Sequence, residues 1–169
     1  MKRLPGLIWF ISDHHFGHKK ALSWEKRPFS SLQDMEDKMV ASWNAVVEPE
    51  DCVCHLGDFN LYSKIESTSN LVGRLNGSIF LVMGNHDRKS PGWYIRAGFA
   101  GATRNPLIRG NVVLSHAPLS EEELAGRTNI HGHCHASLEM MWMRPYYHVS
   151  CEAINYIPVQ FDLVSMGWE

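Results

Sequence analysis

The chain has 169 residues, 44% hydrophobic and 20% charged, with a formal net charge of −2. That length fits one domain spanning 1–169 with a buried core, and the balance is ordinary for a globular protein. No basic excess advertises a nucleic-acid or membrane partner, so nucleic acid enters only as a substrate. No run approaches the ~18 apolar residues of a membrane span. The four cysteines, Cys52, Cys54, Cys134 and Cys151, form no Cys-x-x-Cys pair and no secreted disulfide spacing. A cytoplasmic setting with reduced thiols follows.

The elements in chain order begin with Leu7 to Ile11, a buried strand bounded by Pro5-Gly6 and a polar cluster. A helix follows from Ser31, where Asp34 gives a capping-box spacing, with Leu32, Met35, Met39, Trp43 and Val46 on one face and Pro49 as its stop. Cys52 to Leu56 is a second strand, so Cys52 and Cys54 read as small core residues. Lys64 to Asn76 is a helix with Gly77 as its terminator. Ser78 to Met83, Asn111 to Ser115 and Thr128 to His131 are further strands. Tyr146 to Cys151 and Pro158 to Val164 read as a closing hairpin around Asn155-Tyr156. Strands alternating with helices early and following one another late imply mixed sheets with helices outside.

Ten histidines are the compositional anomaly. Five strands each deliver polar side chains at their C-terminal ends, the edge of an α/β sheet where ligands bind. The residues are Asp13 and His15; Asp58; Asn85, His86 and Asp87; His116; and His133 and His135. The pairs Asp13-x-His15 and His133-x-His135 aim alike on extended backbone. Imidazole, carboxylate and amide donors without thiolate suit Mn, Fe, Ni, Co or Zn better than Ca.

The ordered blocks Asp13-x-His15, Gly57-Asp58, Gly84-Asn85-His86-Asp87, His116 and Gly132-His133-x-His135 resemble the calcineurin-like metallophosphoesterases. His15-Phe16-Gly17-His18, Arg27-Pro28-Phe29 and the tail from His148 to Val159 are similar to small bacterial and phage members. The resemblance implies a four-layer αββα sandwich, with two mostly mixed sheets packed face to face and the metal site at strand C-terminal ends. It implies two divalent ions, Mn first. Asp13, His15 and His135 would hold one, Asn85, His116 and His133 the other, and Asp58 would bridge them. His86 would face the substrate as the catalytic histidine. The activity implied is hydrolysis of a small phosphodiester, nucleotide-derived ones included, by a metal-bridging hydroxide. Phosphomonoesterase or nuclease action on the same site, and a non-catalytic metal-binding scaffold, are the alternatives, and a homo-oligomer is compatible with six tryptophans.

Around that set, His14 alternates away from the ligands and His55 reads as a satisfied core histidine. His131 is expected to brace the site from behind, and Asp87 to fix the His86 loop. His18 and Arg27 are substrate or surface residues, Arg27 favouring the solvated role. Tyr62, Trp93, Tyr94 and Trp142 read as packing or rim aromatics able to stack a base. Asp58 is followed by Phe59-Asn60-Leu61-Tyr62 rather than the Val-Asp-Arg-Gly of Ser/Thr protein phosphatases, which disfavours that activity.

Overall fold

The computed structural model describes residues 7–137 and 144–168. Two four-stranded sheets form the centre. The first contains β1 (Ile8–Ile11), β2 (Cys52–His55), β3 (Ser78–Val82) and β4 (Gly101–Thr103) in that spatial order. The second contains β5 (Leu107–Arg109), β6 (Val112–Ser115), β7 (Thr128–His131) and β8 (Tyr146–His148), also in sequence order. The first sheet is entirely parallel, and only the β5–β6 pair of the second is antiparallel. The expected two sheets are present: the second is mixed through β5, and the first gains its antiparallel pairing where Val159 meets Phe10.

Parallel strands buried on both faces need continuous apolar runs. Phe10, Ile11, Val53, Ile79, Leu81, Val112, Leu114 and Ile130 meet that need and join one hydrophobic cluster shared by both sheets. Helices α1 (Ala21–Trp24), α2 (Leu32–Asn44), α3 (Ile65–Val72), α4 (Pro91–Arg96) and α5 (Glu121–Leu124) complete the layers. Helices α1, α4 and α5 and strands β4 and β5, each six residues or fewer, are additional to the expected elements.

Helix α2 starts where expected, with Ser31 Oγ accepting from Asp34 N at 3.1 Å. The box is not closed, because the Asp34 carboxylate turns to Ser30 N instead. Met35, Met39 and Trp43 are fully buried. Helix α3 ends four residues before the expected Asn76. The backbone beyond it is taken by α2 side chains: Asn44 donates to Arg74 O, Trp43 Nε1 donates to Asn76 O, and Asn76 N donates to Asn44 Oδ1. Cys54 is buried, but Cys52, at the open N-terminal end of β2, is exposed.

The expected closing hairpin does not form. After β8 the chain enters a 3-10 turn, Cys151–Ile154, and Asn155 and Tyr156 both take positive φ. Val159 then pairs with Phe10 of β1 rather than with β8. A parallel bridge between Ser12 and Ser150 ties the ends of β1 and β8 together at the edge that carries the histidines.

Candidate metal centre

Strands β1, β2, β3, β6 and β7 release their chains at one edge. Asp13, His15, Asp58, His133 and His135 all adopt left-handed backbone, with φ of 61°, 52°, 54°, 71° and 46°. For non-glycine residues that conformation is uncommon and costs energy that surrounding structure must offset. Close approach also constrains the glycines between them. A Cβ on Gly84 would overlap Asp58 Oδ1, and one on Gly132 would overlap Ser12 Oγ.

The side chains meet as two groups sharing one carboxylate. Asp58 Oδ2 lies 3.6 Å from His15 Nε2 and 3.5 Å from His116 Nε2. On one side, His135 Nε2 is 3.9 Å from Asp13 Oδ1, and the His15 and His135 rings stack with centroids 5.2 Å apart. On the other, His116 Nε2 lies 3.0 Å from Asn85 Oδ1 and 3.1 Å from His133 Nδ1. Ligand atoms of Asp13, His15 and His135 all lie within 4.8 Å of one another, as do those of Asp13, Asp58 and His116. All seven expected ligands therefore converge, although Asn85 and His133 are exposed.

The groups behind them are arranged as metal ligands require. His116 Nδ1 faces Leu56 O at 2.8 Å, which leaves Nε2 for the site. Asp13 Oδ2 accepts from Ser12 Oγ at 2.5 Å, Ser150 Oγ at 2.8 Å and His133 N at 2.9 Å. Its other oxygen, Oδ1, is buried and accepts no hydrogen bond. A buried carboxylate oxygen with no hydrogen bond, beside two imidazole nitrogens, fits a divalent cation. Burial raises the Asp13 pKa, but the fields of His116 and His135 and the Ser12 hydrogen bond outweigh it and hold the group ionised well below the usual range. Burial pushes His15 down to about 3, keeping it neutral as a ligand must be. His135 goes the other way. Burial lowers its pKa, yet the Glu152 hydrogen bond and the charges of Asp13, Glu152 and Glu25 lift it to about 9.

Glu152, in the turn after β8, escaped the sequence reading. Its carboxylate lies 3.3 Å from His135 Nδ1 and forms a buried ion pair with Arg27 at 2.7 Å. Arg27 also donates to His14 O at 2.7 Å and Asp13 O at 2.6 Å. The expectation that Arg27 is solvated, or free to reach substrate, is corrected: it is buried with its N–H groups turned inward, bracing the first ligand loop. A single weak signal was available, the acidic residue just after Ser150-Cys151. Glu25, His135 and Glu152 form a third acidic cluster at the rim.

His14 is fully buried, with Nδ1 2.8 Å from His55 Nε2, so it faces away from the ligands and His55 is a core histidine paired with it. His131 stacks on His148 at 5.3 Å, with Nδ1 2.9 Å from Gly132 O, behind the site. Asp87 accepts from Asp58 N, Gly84 N and Phe59 N at 2.7, 2.8 and 3.2 Å, joining the second and third ligand loops. His86 is half-buried, its ring 5.1 Å from that of His15, and its N donates to Asp58 Oδ1 at 2.8 Å. Burial and Arg88 lower its pKa despite Asp87, so the ring is neutral near pH 7. Tyr62 and Tyr94 line a cleft of about 560 Å³ beside His86. Trp142 lies outside the described residues.

The chain belongs to the calcineurin-like phosphoesterase family, whose model matches residues 6–155. It is 35% identical over 165 residues to the uncharacterized protein MJ1445 of Methanocaldococcus jannaschii, covering 93% of this chain and 88% of that one. Gene 66 protein of Mycobacterium phage D29 is 30% identical over 161 residues, 78% of this chain and 79% of the relative. Among solved structures, the Aquifex aeolicus protein of unknown function AQ665 superposes with a TM-score of 0.72 at 24% identity, covering 91% and 95% of the two chains, and so shares the fold. No helix among the described residues is long and apolar enough to cross a membrane.

Proposed function

We propose that this protein is a metal-dependent phosphodiesterase whose dinuclear site is held by Asp13, His15 and His135 on one side, Asn85, His116 and His133 on the other, and Asp58 between. The observation that carries the reading is Asp58 Oδ2, placed 3.6 and 3.5 Å from one imidazole of each group. When bound, two divalent ions, Mn first, supply an acidified water as nucleophile and positive charge for the phosphate oxygens.

The chain's own residues do the rest. Ser12 and Ser150 fix one Asp13 oxygen so that the other is free to ligate. His86, on the loop held by Asp87, donates an N–H to a phosphate oxygen across from His15 and stabilises charge that grows in the transition state. Its depressed pKa favours this role over that of a standing proton donor near pH 7. The wide cleft beside His86 leaves room for the second ester substituent of a diester, which supports diesters over monoesters as substrates.

Metal-stripped protein should not cleave bis(p-nitrophenyl) phosphate, and Mn should restore turnover. Asp58→Asn should abolish turnover while the fold, read by circular dichroism, stays intact. Cleavage of monoesters alone by the reloaded protein would make it a phosphomonoesterase. Two bound metals with no turnover on any phosphoester would favour a scaffold.

A further inference from the structure

The chain is slightly acidic as a whole, yet one face of the site is not. The cleft of about 560 Å³ that opens at His86 is lined by Lys19, Lys20, Arg88 and Lys89, and among the described residues no aspartate or glutamate lines it. These cations come from two loops far apart in sequence, one after β1 and one after β3, both of which also carry proposed metal ligands. Trp24 stands at the mouth, 63% exposed, with Lys20 Nζ 5.5 Å from its ring centroid. His18 links Trp24 to the metal centre, its ring centroid 5.3 Å from that of Trp24, 5.7 Å from His15 and 6.1 Å from His86. Its Nδ1 is buried without a hydrogen-bond partner. Glu25 lies in the adjoining small recess against His135, which shares His18, Trp24 and His86 with the cleft.

Four cations lining one cleft raise the local potential, so the arrangement favours an anionic occupant. The cationic lining belongs to the cleft beside His86 and not to the recess against His15 and His135. An exposed tryptophan flanked by a lysine offers a face on which a flat ring stacks. The volume is within the range of small-ligand sites. We infer that this cleft is a subsite for one arm of the ester, and that the arm carries both a flat aromatic ring system and a phosphate of its own, as a nucleoside bearing a second phosphate does. The inference rests on the phosphoesterase reading above and narrows its substrate class.

The test uses two esters differing by one group: thymidine 5′-(p-nitrophenyl phosphate), and the same ester carrying a 3′-phosphate. With Mn-loaded protein, kcat/KM should be at least tenfold higher for the 3′-phosphorylated ester, and the advantage should shrink as salt rises. Lys20→Gln with Lys89→Gln should bring the ratio near one, whereas Lys38→Gln, on distant α2, should leave it alone. Trp24→Ala should lower kcat/KM for thymidine esters at least tenfold relative to methyl p-nitrophenyl phosphate. Independently of turnover, metal-free protein should bind thymidine 3′,5′-bisphosphate at least tenfold more tightly than thymidine 5′-phosphate by calorimetry. A wild-type ratio near one, or a ratio indifferent to the lysine changes in folded variants, overturns the subsite. Affinity that keeps climbing as oligonucleotides lengthen beyond two residues also overturns it, in favour of a strand-binding track. Failure of the parent reading looks different: no Mn-dependent cleavage of bis(p-nitrophenyl) phosphate at all.

Discussion

Arg27→Met removes a buried guanidinium whose contacts with Glu152, His14 O and Asp13 O all face inward. The side chain is 0% exposed, and its Glu152 partner 6%. The substitution keeps the aliphatic stem, so the loss is mainly electrostatic. It leaves the buried Glu152 carboxylate with His135, 3.3 Å away, in place of its closer partner, and withdraws hydrogen bonds from His14 O and Asp13 O. Removing one partner of a buried ion pair costs about 3–5 kcal/mol. The carbonyls can find water by small shifts, so about 4 kcal/mol is the expected total. With an m-value near 2 kcal/mol/M, that moves the urea midpoint of metal-free protein down by about 2 M. Because the charge left behind is the main penalty, Arg27→Met with Glu152→Leu should recover about 2 kcal/mol relative to Arg27→Met alone. Equilibrium urea unfolding followed by tryptophan fluorescence measures both. A loss under 1 kcal/mol for Arg27→Met, or a double variant less stable than the single, would refute the claim that this pair braces the first ligand loop.

Ser150→Ala frees one of the groups that orient Asp13 Oδ2, and should weaken Mn binding by about 10- to 100-fold in calorimetric titrations while leaving metal-free stability within about 1.5 kcal/mol. Asp87→Ala leaves the N–H groups of Asp58, Gly84 and Phe59 without their acceptor and should cost about 3 kcal/mol in urea unfolding, with Asp87→Asn less damaging. His14 and His55 are fully buried, and burial drives both pKa values down from 6.5, His55 to about 3. Bases held neutral in the fold contribute stability above the unfolded pKa and lose it as pH falls through 6.5. The metal-free protein should therefore lose about 2.5 kcal/mol from this pair between pH 7 and 5.5, and His14→Phe with His55→Leu should flatten the profile by that amount. At His135 an ion competes with a proton on a ring whose pKa stands at about 9, so Mn affinity should rise about tenfold per unit from pH 7 to 9 and level off above. A pH-independent affinity would remove His135 from the ligand set.

Much of this site was legible in the sequence because chemistry and register coincide there. Asp13, Asp58, Asn85, His116, His133 and His135 follow apolar runs that can only be buried strands, and parallel strands deliver their C-terminal ends to one edge. What the sequence concealed depends on contacts between distant segments. Arg27 looks like a surface charge until the turn at Glu152 comes to meet it. The end of α3 was misplaced because Asn44 and Trp43, about 30 residues upstream, compete for the backbone at Arg74 and Asn76. The closing hairpin failed because Val159 finds Phe10 of the other sheet. The basic cleft was invisible to net charge, since its lysines and Arg88 gather only when two ligand loops fold side by side. The short α4, by contrast, carried a readable start in Ser90-Pro91, where Ser90 Oγ accepts from Trp93 N.

The central claim is that Asp58 joins two adjacent ions held by six other named side chains. Anomalous diffraction from Mn-soaked crystals tests it most directly. Two peaks about 3.5–4 Å apart, one among Asp13, His15 and His135 and the other among Asn85, His116 and His133, with Asp58 touching both, are predicted. A single peak, or density only at the rim cluster of Glu25, His135 and Glu152, would contradict it.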